Sequence, residues 1–294
     1  MPYINVGQEN SNDIQLHYQD HGEGETLLLI HGYPFSGVAW EKIEAQLLDD
    51  GYRVITYDRR GFGLSSGPSE GYDWNTFAQD LDHIMTKLDL SDVTLVGHSM
   101  GSGEVTRYLS MYGAERVSRA VFVAPIPPYI LKSKENPSGV NRDVLEGFKE
   151  AIKDDRYAFI TEFLKNFYNL SKLSGNEEVS AEKLKADFTL ASLSSPIAFL
   201  KCVDTWMEDF SDDLSHIDVP SLIIQGDADR ILPFKATGEK LAEKIGAELR
   251  VIENGSHGIP WTHAEEIASE IISFLHRSHE RISGDYSQES AQIQ

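Results

Sequence analysis

Cysteine, basic residues and long apolar runs are scarce in this sequence, and each shortage excludes something. Cys202 is the sole cysteine, so no disulfide can form within the chain, and a reducing compartment is expected. No stretch has the length and apolarity of a signal peptide or a membrane-spanning helix, which points to a cytoplasmic protein with no membrane partner. Lysine and arginine number 26 against 47 aspartates and glutamates, a formal charge of −21 at pH 7. A field of that sign repels phosphate backbones and anionic headgroups, so nucleic acid and lipid surfaces are discounted as partners. The acidity reads either as a strongly solvated surface or as adaptation to a salty environment. Histidines and cysteine at metal-ligand spacing are missing, as is a glycine-rich dinucleotide loop after a strand; no metal and no cofactor are expected. Internal repeats and low-complexity linkers are absent too.

What is present is an alternation of short apolar runs and helical stripes. Tyr3 to Val6 and Ile14 to Gln19 read as two antiparallel strands. Leu27 to Ile30 is a continuous apolar run, too short for a helix and typical of a strand buried on both faces; Ala120 to Val123 reads as a further buried strand, and Val54 to Tyr57, Val93 to Val96, Ser221 to Gln225 and Leu249 to Ile252 as the other strands of the same pattern. Between them, helical spacing appears in Val38 to Leu48, Trp74 to Leu88, Met100 to Tyr112, Thr237 to Ile245 and Ala264 to Leu275. Eight strands alternating with helices predict an α/β protein with a mostly parallel, doubly wound sheet. From Pro125 to about Pro220 the strand pattern stops. Helical stripes take over, such as Val144, Phe148 and Ile152, then Tyr157, Ile160, Leu164 and Phe167, then Ile197, Leu200, Val203 and Met207, and they read as packing residues of an inserted helical cap. The expected organisation is a core of residues 1–124 and 217–279, a cap over 125–216 and a polar tail over 280–294 that lacks periodicity.

The stretch Leu95 to Gly103 holds Gly97-His98-Ser99-Met100-Gly101, a G-x-S-x-G turn between a strand and a helix. Such an elbow projects the serine hydroxyl above the sheet, and a Cβ at either flanking glycine would press on the neighbouring backbone. A serine hydroxyl is a weak nucleophile. It needs a base within hydrogen-bond reach and a third group to fix the base's tautomer, in the chain order Ser, Asp, His for this kind of site. Ser99 is followed by an acidic loop containing Asp227 and Asp229, and then by His257 after the last strand. All three lie just beyond the C-terminal ends of expected strands, where open α/β sheets place their ligands. The residues alone leave both aspartates open. His31 and His98 sit inside motifs but read as structural, and His263 as a cap or packing group at the start of the last helix. One oxyanion donor is expected at the N–H of Met100, and another in the loop after His31-Gly32.

Taken together, His31-Gly32-Tyr33-Pro34, Tyr57-Asp58-Arg59-Arg60-Gly61-Phe62-Gly63, Gly97-His98-Ser99-Met100-Gly101, Gly226-Asp227-Ala228-Asp229-Arg230 and the run from Ser256 to His263 resemble the cofactor-free (non-haem) haloperoxidases of the α/β-hydrolase fold. These are also called perhydrolases and are kin of bacterial aryl esterases. The resemblance spans nearly the whole chain except the polar tail. It implies the α/β-hydrolase fold, Asp229 as the triad acid, since the acid ends a G-x-x-D before a hydrophobic residue and proline, and the N–H of Tyr33 as second oxyanion donor. It also implies a small ester or carboxylic acid as substrate, water or hydrogen peroxide as acyl acceptor, with Pro34 favouring peroxide, and a homo-oligomer such as a trimer. A lactonase, amidase or C–C bond hydrolase of the same fold is the alternative enzyme, and a ligand-binding receptor on this fold the non-enzymatic one.

Overall fold

A computed structural model describes residues 2–170 and 179–291, with side-chain surroundings to Arg277. Residues 171–178 of the expected cap and the last three of the expected tail lie outside the described residues.

The apolar runs form β1 (Tyr3–Glu9), β2 (Asn12–His21), β3 (Thr26–Ile30), β4 (Arg53–Tyr57), β5 (Val93–His98), β6 (Val117–Val123), β7 (Ser221–Gly226) and β8 (Glu248–Ile252). They make one eight-stranded sheet in the order β1-β2-β4-β3-β5-β6-β7-β8. The pairs β1–β2 and β2–β4 are antiparallel, and every later pair is parallel. Because successive strand residues point to opposite faces, Leu28, Ile30, Leu95, Phe122 and Ile223 build one core, while Leu27, Leu29, Val96, Val121 and Leu222 build the other. Each fully buried side chain of this kind stabilises the fold by about 1.5–3 kcal/mol before entropy is counted.

Helices α1 (Glu41–Asp49), α2 (Trp74–Lys87) and α3 (Met100–Tyr112) connect the first strands. α1 is preceded by a 3-10 turn, Gly37–Trp40. After β6 come α4 (Arg142–Phe167), α5 (Ala181–Leu193) and α6 (Pro196–Thr205), and after β7 come α7 (Gly238–Ile245), the short α8 (Ile259–Thr262) and α9 (Ala264–Ala291). α1 and α9 cover one face through Ile43, Leu47, Ile267, Ile271 and Leu275. α2, α3 and α7 cover the other through Leu81, Ile84, Val105, Leu109 and Leu241. A third cluster, rich in aromatic rings, joins α4 and α6 to the strand ends.

Two expectations need adjusting. Not every stripe residue of the cap packs: Val144, Tyr157 and Ile197 are exposed, whereas Ile152, Ile160 and Leu164 are buried. The helix that carries the first two stripes kinks between them at Asp155 (φ −150°, ψ 94°), whose carboxylate accepts hydrogen bonds from the N–H groups of Tyr157 and Ala158, both 3.0 Å. Asp155 thereby caps a new helix and resets the 3.6-residue period. At the other end, α9 continues into the stretch expected to be an aperiodic tail. With no proline after Leu275 and a packed helix already nucleated, adding residues costs little even without an apolar stripe.

The elbow follows the steric reasoning. Ser99 has φ 53° and ψ −116°, a strained conformation that lifts its side chain off the sheet. A Cβ on Gly97 would stand 2.5 Å from the Gly101 carbonyl oxygen, and one on Gly101 would stand 2.2 Å from that of Ile30. Neither backbone can yield without separating α3 from the sheet. We expect Gly101→Ala to cost more than about 3 kcal/mol in urea unfolding, beyond ordinary overpacking. Gly147→Ala in α4, where a Cβ meets open space, should stay within about 1 kcal/mol of the parent.

Candidate active site

Four loops converge because of strand order. The chain reverses its direction of travel across the sheet between β3 and β5, so the loops leaving these adjacent strands diverge and open a crevice at their C-terminal ends. The β3 loop brings His31-Gly32-Tyr33-Pro34, and the β5 turn brings Ser99. The β7 and β8 loops bring Asp229 and His257 from the same edge.

His257 Nε2 lies 2.8 Å from Ser99 Oγ, and His257 Nδ1 lies 2.7 Å from Asp229 Oδ2. With Nδ1–H donating to the carboxylate, Nε2 is left to accept the serine proton. The other carboxylate oxygen of Asp229 accepts from the N–H groups of Ile231 and Leu232, both 2.8 Å. Gln225 at the end of β7 donates to Oδ2 at 3.3 Å. A carboxylate with that many fixed donors has one orientation, which it imposes on the imidazole. His257 is fully buried, and Ser99 is 7% exposed under the helices that follow β6. Asp227 does something else: its carboxylate accepts from the N–H of Asn254 at 2.7 Å and ties the β7 and β8 loops together.

The remaining motif histidines are buried. His98 Nε2–H donates to the His257 carbonyl at 3.2 Å, and burial together with the neighbouring His257 ring holds its pKa well below the usual histidine value. His31 Nδ1–H donates to the Gly32 carbonyl at 2.9 Å, while His31 Nε2 accepts from the N–H of Arg59 at 2.9 Å. Burial, then the Arg59 charge, push its pKa well down too. Both rings are neutral supports for the loops that carry them. His263 pairs with the Thr262 hydroxyl at 2.8 Å, beside the start of α9.

Among the described residues the N–H groups of Tyr33 and Met100 have no backbone or side-chain acceptor. Met100 is the first residue of α3, whose first N–H groups have no intrahelical partner by construction. A Cβ on Gly32 would stand 3.0 Å from Ser99 Cβ, so the Tyr33 loop lies directly against the serine. The Tyr33–Pro34 peptide bond is cis. The Tyr33 hydroxyl donates to the Phe199 carbonyl of α6 at 3.1 Å, and its ring packs edge-on to Phe163 and Trp206 and tilted against Phe199, with centroids 4.7–5.8 Å apart. Ser194 donates to the Pro34 carbonyl at 3.3 Å.

Some contacts at the site have no signature in the sequence. The Phe167 ring at the end of α4 stands edge-on to the His257 imidazole at 5.0 Å, and the Phe167 carbonyl accepts from the Gly258 N–H at 3.0 Å. Phe167 reads in sequence as one more packing position of an amphipathic helix. The polar end of β7 was the available hint for Gln225. Among the described residues no group of three or more His, Cys, Asp or Glu side chains is placed to hold a metal ion, and no helix is long and apolar enough to cross a membrane.

Known proteins resemble both sequence and structure. Residues 25–264 match the alpha/beta hydrolase fold family. A putative non-heme chloroperoxidase of Synechocystis sp. is 52% identical over 276 residues, covering 94% of this chain and all of the relative. The non-heme chloroperoxidase CPO-A1 of Kitasatospora aureofaciens is 38% identical over 268 residues, covering 90% and 97% of the two chains. The crystal structure of a bromoperoxidase from Bacillus anthracis superposes with a TM-score of 0.89 at 40% identity, covering 94% and 99%.

Proposed function

The chain belongs to the α/β-hydrolase fold family, with the non-heme haloperoxidases, and we propose that it works through a Ser99–His257–Asp229 triad that forms an acyl-enzyme. The observation behind this reading is the unbroken pair of hydrogen bonds from Asp229 through His257 to Ser99. Ser99 attacks the carbonyl of a small ester or carboxylic acid while His257 Nε2 takes its proton, and Asp229 steadies the imidazolium. The tetrahedral oxyanion is held by the N–H groups of Met100 and Tyr33, a term worth roughly two orders of magnitude in rate per donor. His257 then returns the proton to the leaving oxygen, giving the alcohol or water and acyl-Ser99.

The second half-reaction depends on the acceptor. Water regenerates Ser99 and releases a carboxylic acid. Hydrogen peroxide releases a peracid, which oxidises a halide ion in solution to hypohalous acid and returns the carboxylic acid. Halogenation is then indirect. It draws its oxidising equivalents from peroxide, so the triad needs only to transfer an acyl group. Bromination of a phenol-type indicator should therefore require both peroxide and a short carboxylic acid such as acetate, falling at least about tenfold when the acid is left out. A rate independent of added acid would overturn the peracid route.

A further inference from the structure

The loop after β4 carries two adjacent arginines, each buried in an ion pair. Arg60 grips Asp80 of α2 through Nε and Nη2, both at 2.6 Å. Arg59 donates from Nε to Glu104 of α3 at 2.7 Å, and the Tyr57 hydroxyl donates to the other Glu104 oxygen. Glu104 is wholly buried and Arg59 is 1% exposed. Burial pulls the Arg59 guanidinium down to about 10, which leaves it protonated at neutral pH.

The two pairs differ in what else they touch. Arg59 Nη2 donates to the His31 carbonyl at 2.8 Å, and the Arg59 backbone N–H donates to His31 Nε2 at 2.9 Å. His31 closes the loop onto the Gly32 carbonyl through Nδ1–H at 2.9 Å. The next residue is Tyr33. On the far side, Glu104 lies one helical turn after Met100, on the same face of α3. An unbroken set of bonds therefore runs from the helix that presents the Met100 N–H, through Glu104 and Arg59, to the loop that presents the Tyr33 N–H. A buried ion pair is weak ground for stability, since apolar replacements commonly do as well. What this one supplies is a fixed polar span between α3 and the β3 loop, beside the close backbone packing of Gly101 on Ile30.

We propose that the buried Arg59–Glu104 pair is the positioning device of the oxyanion hole, setting the separation and direction of the Met100 and Tyr33 N–H groups through α3 on one side and His31 on the other. This rests on the assignment of those two donors above. The geometry demands arginine: one planar fork serves the Glu104 carboxylate and the His31 carbonyl at once, which a single ammonium on a flexible stem cannot reproduce. Glu104→Ala would strand a buried guanidinium, so Glu104→Gln is the informative change there.

The experiment compares Arg59→Lys, Glu104→Gln and, as a matched control, Arg60→Lys. Active serines are counted by the burst of an activated aryl ester, so kcat refers to titrated sites only. Affinity for a boronic acid that forms a tetrahedral adduct is measured beside KM and the melting temperature. Arg59→Lys should lose on the order of 100-fold in kcat per titrated site, as expected for a donor displaced by a fraction of an ångström to an ångström, with KM within about threefold. Boronic acid affinity should fall by a similar factor. Glu104→Gln, which still accepts from Arg59 Nε, should lose about five- to tenfold. Arg60→Lys should lower the melting temperature while holding kcat per site within about twofold. The proposal is overturned if kcat per site in Arg59→Lys stays within about threefold of the parent, or if Arg60→Lys loses as much. Should Arg59→Lys not fold, an unchanged kcat per site in Glu104→Gln overturns it. Turnover by Ser99→Ala separates the two readings: a silent Ser99→Ala with a fully active Arg59→Lys refutes the strut alone, whereas an active Ser99→Ala refutes the acyl-enzyme beneath it.

Discussion

Ser99→Ala is expected to lower kcat toward an activated aryl ester by about five to six orders of magnitude, with a thermal unfolding curve close to that of the parent. The large loss follows from the acyl-enzyme: without Oγ no covalent intermediate forms, and residual rate comes from substrate binding and oxyanion stabilisation of direct attack by water. Stability should hardly move, within about 1 kcal/mol. Serine and alanine both carry a Cβ, so the strain at φ 53° is common to both. The change removes one hydrogen bond, to His257 Nε2. Peroxide-dependent bromination should fall in parallel, since acyl-Ser99 feeds both acceptors. Bromination that survived while ester hydrolysis vanished would show that peroxide is activated elsewhere.

Asp229→Asn should cost about four orders of magnitude in kcat, with folding retained. The asparagine carbonyl can keep the bonds from the Ile231 and Leu232 N–H groups, which turns its amide NH2 toward His257 Nδ1. The imidazole must then accept at Nδ1 and carry its proton on Nε2, facing Ser99 as a donor. A base already protonated on that nitrogen cannot take the serine proton. Asp227→Asn, two residues earlier in the same loop, should change kcat by less than about fivefold, because its contact is the Asn254 N–H and an asparagine carbonyl can still accept there. Steady-state kinetics on the pair, with active sites titrated, check the assignment. A larger loss for Asp227→Asn would reverse it.

Much of this was legible in the order of residues because the responsible forces are local. Buried parallel strands show short apolar runs, as in Leu27 to Ile30 and Leu222 to Ile224, too short to form helices. The elbow glycines are fixed by backbone atoms a few ångströms away, so Gly97 and Gly101 are written into the motif itself. Local signals also explain the adjusted expectations. Asp155 falls in the gap between the stripe that ends at Ile152 and the one that begins at Tyr157, and its carboxylate caps the second helical stretch. The stretch after Leu275 has no apolar period, and its helix continues from the packed turns before it.

The sequence by itself determined the α/β alternation, the elbow at Ser99, the acidic loop and a histidine after the last strand in the order a serine site needs. Only the tertiary structure decided which aspartate faces His257, that Phe167 covers its ring, and that Arg59 joins Glu104 to His31 across 45 and 28 residues of chain. Backbone sterics and hydrogen bonds between near neighbours act over a few residues and leave a readable pattern. Contacts across the crevice are set by the strand order and the crossovers between strands, and no local pattern records which side chains those crossovers bring together.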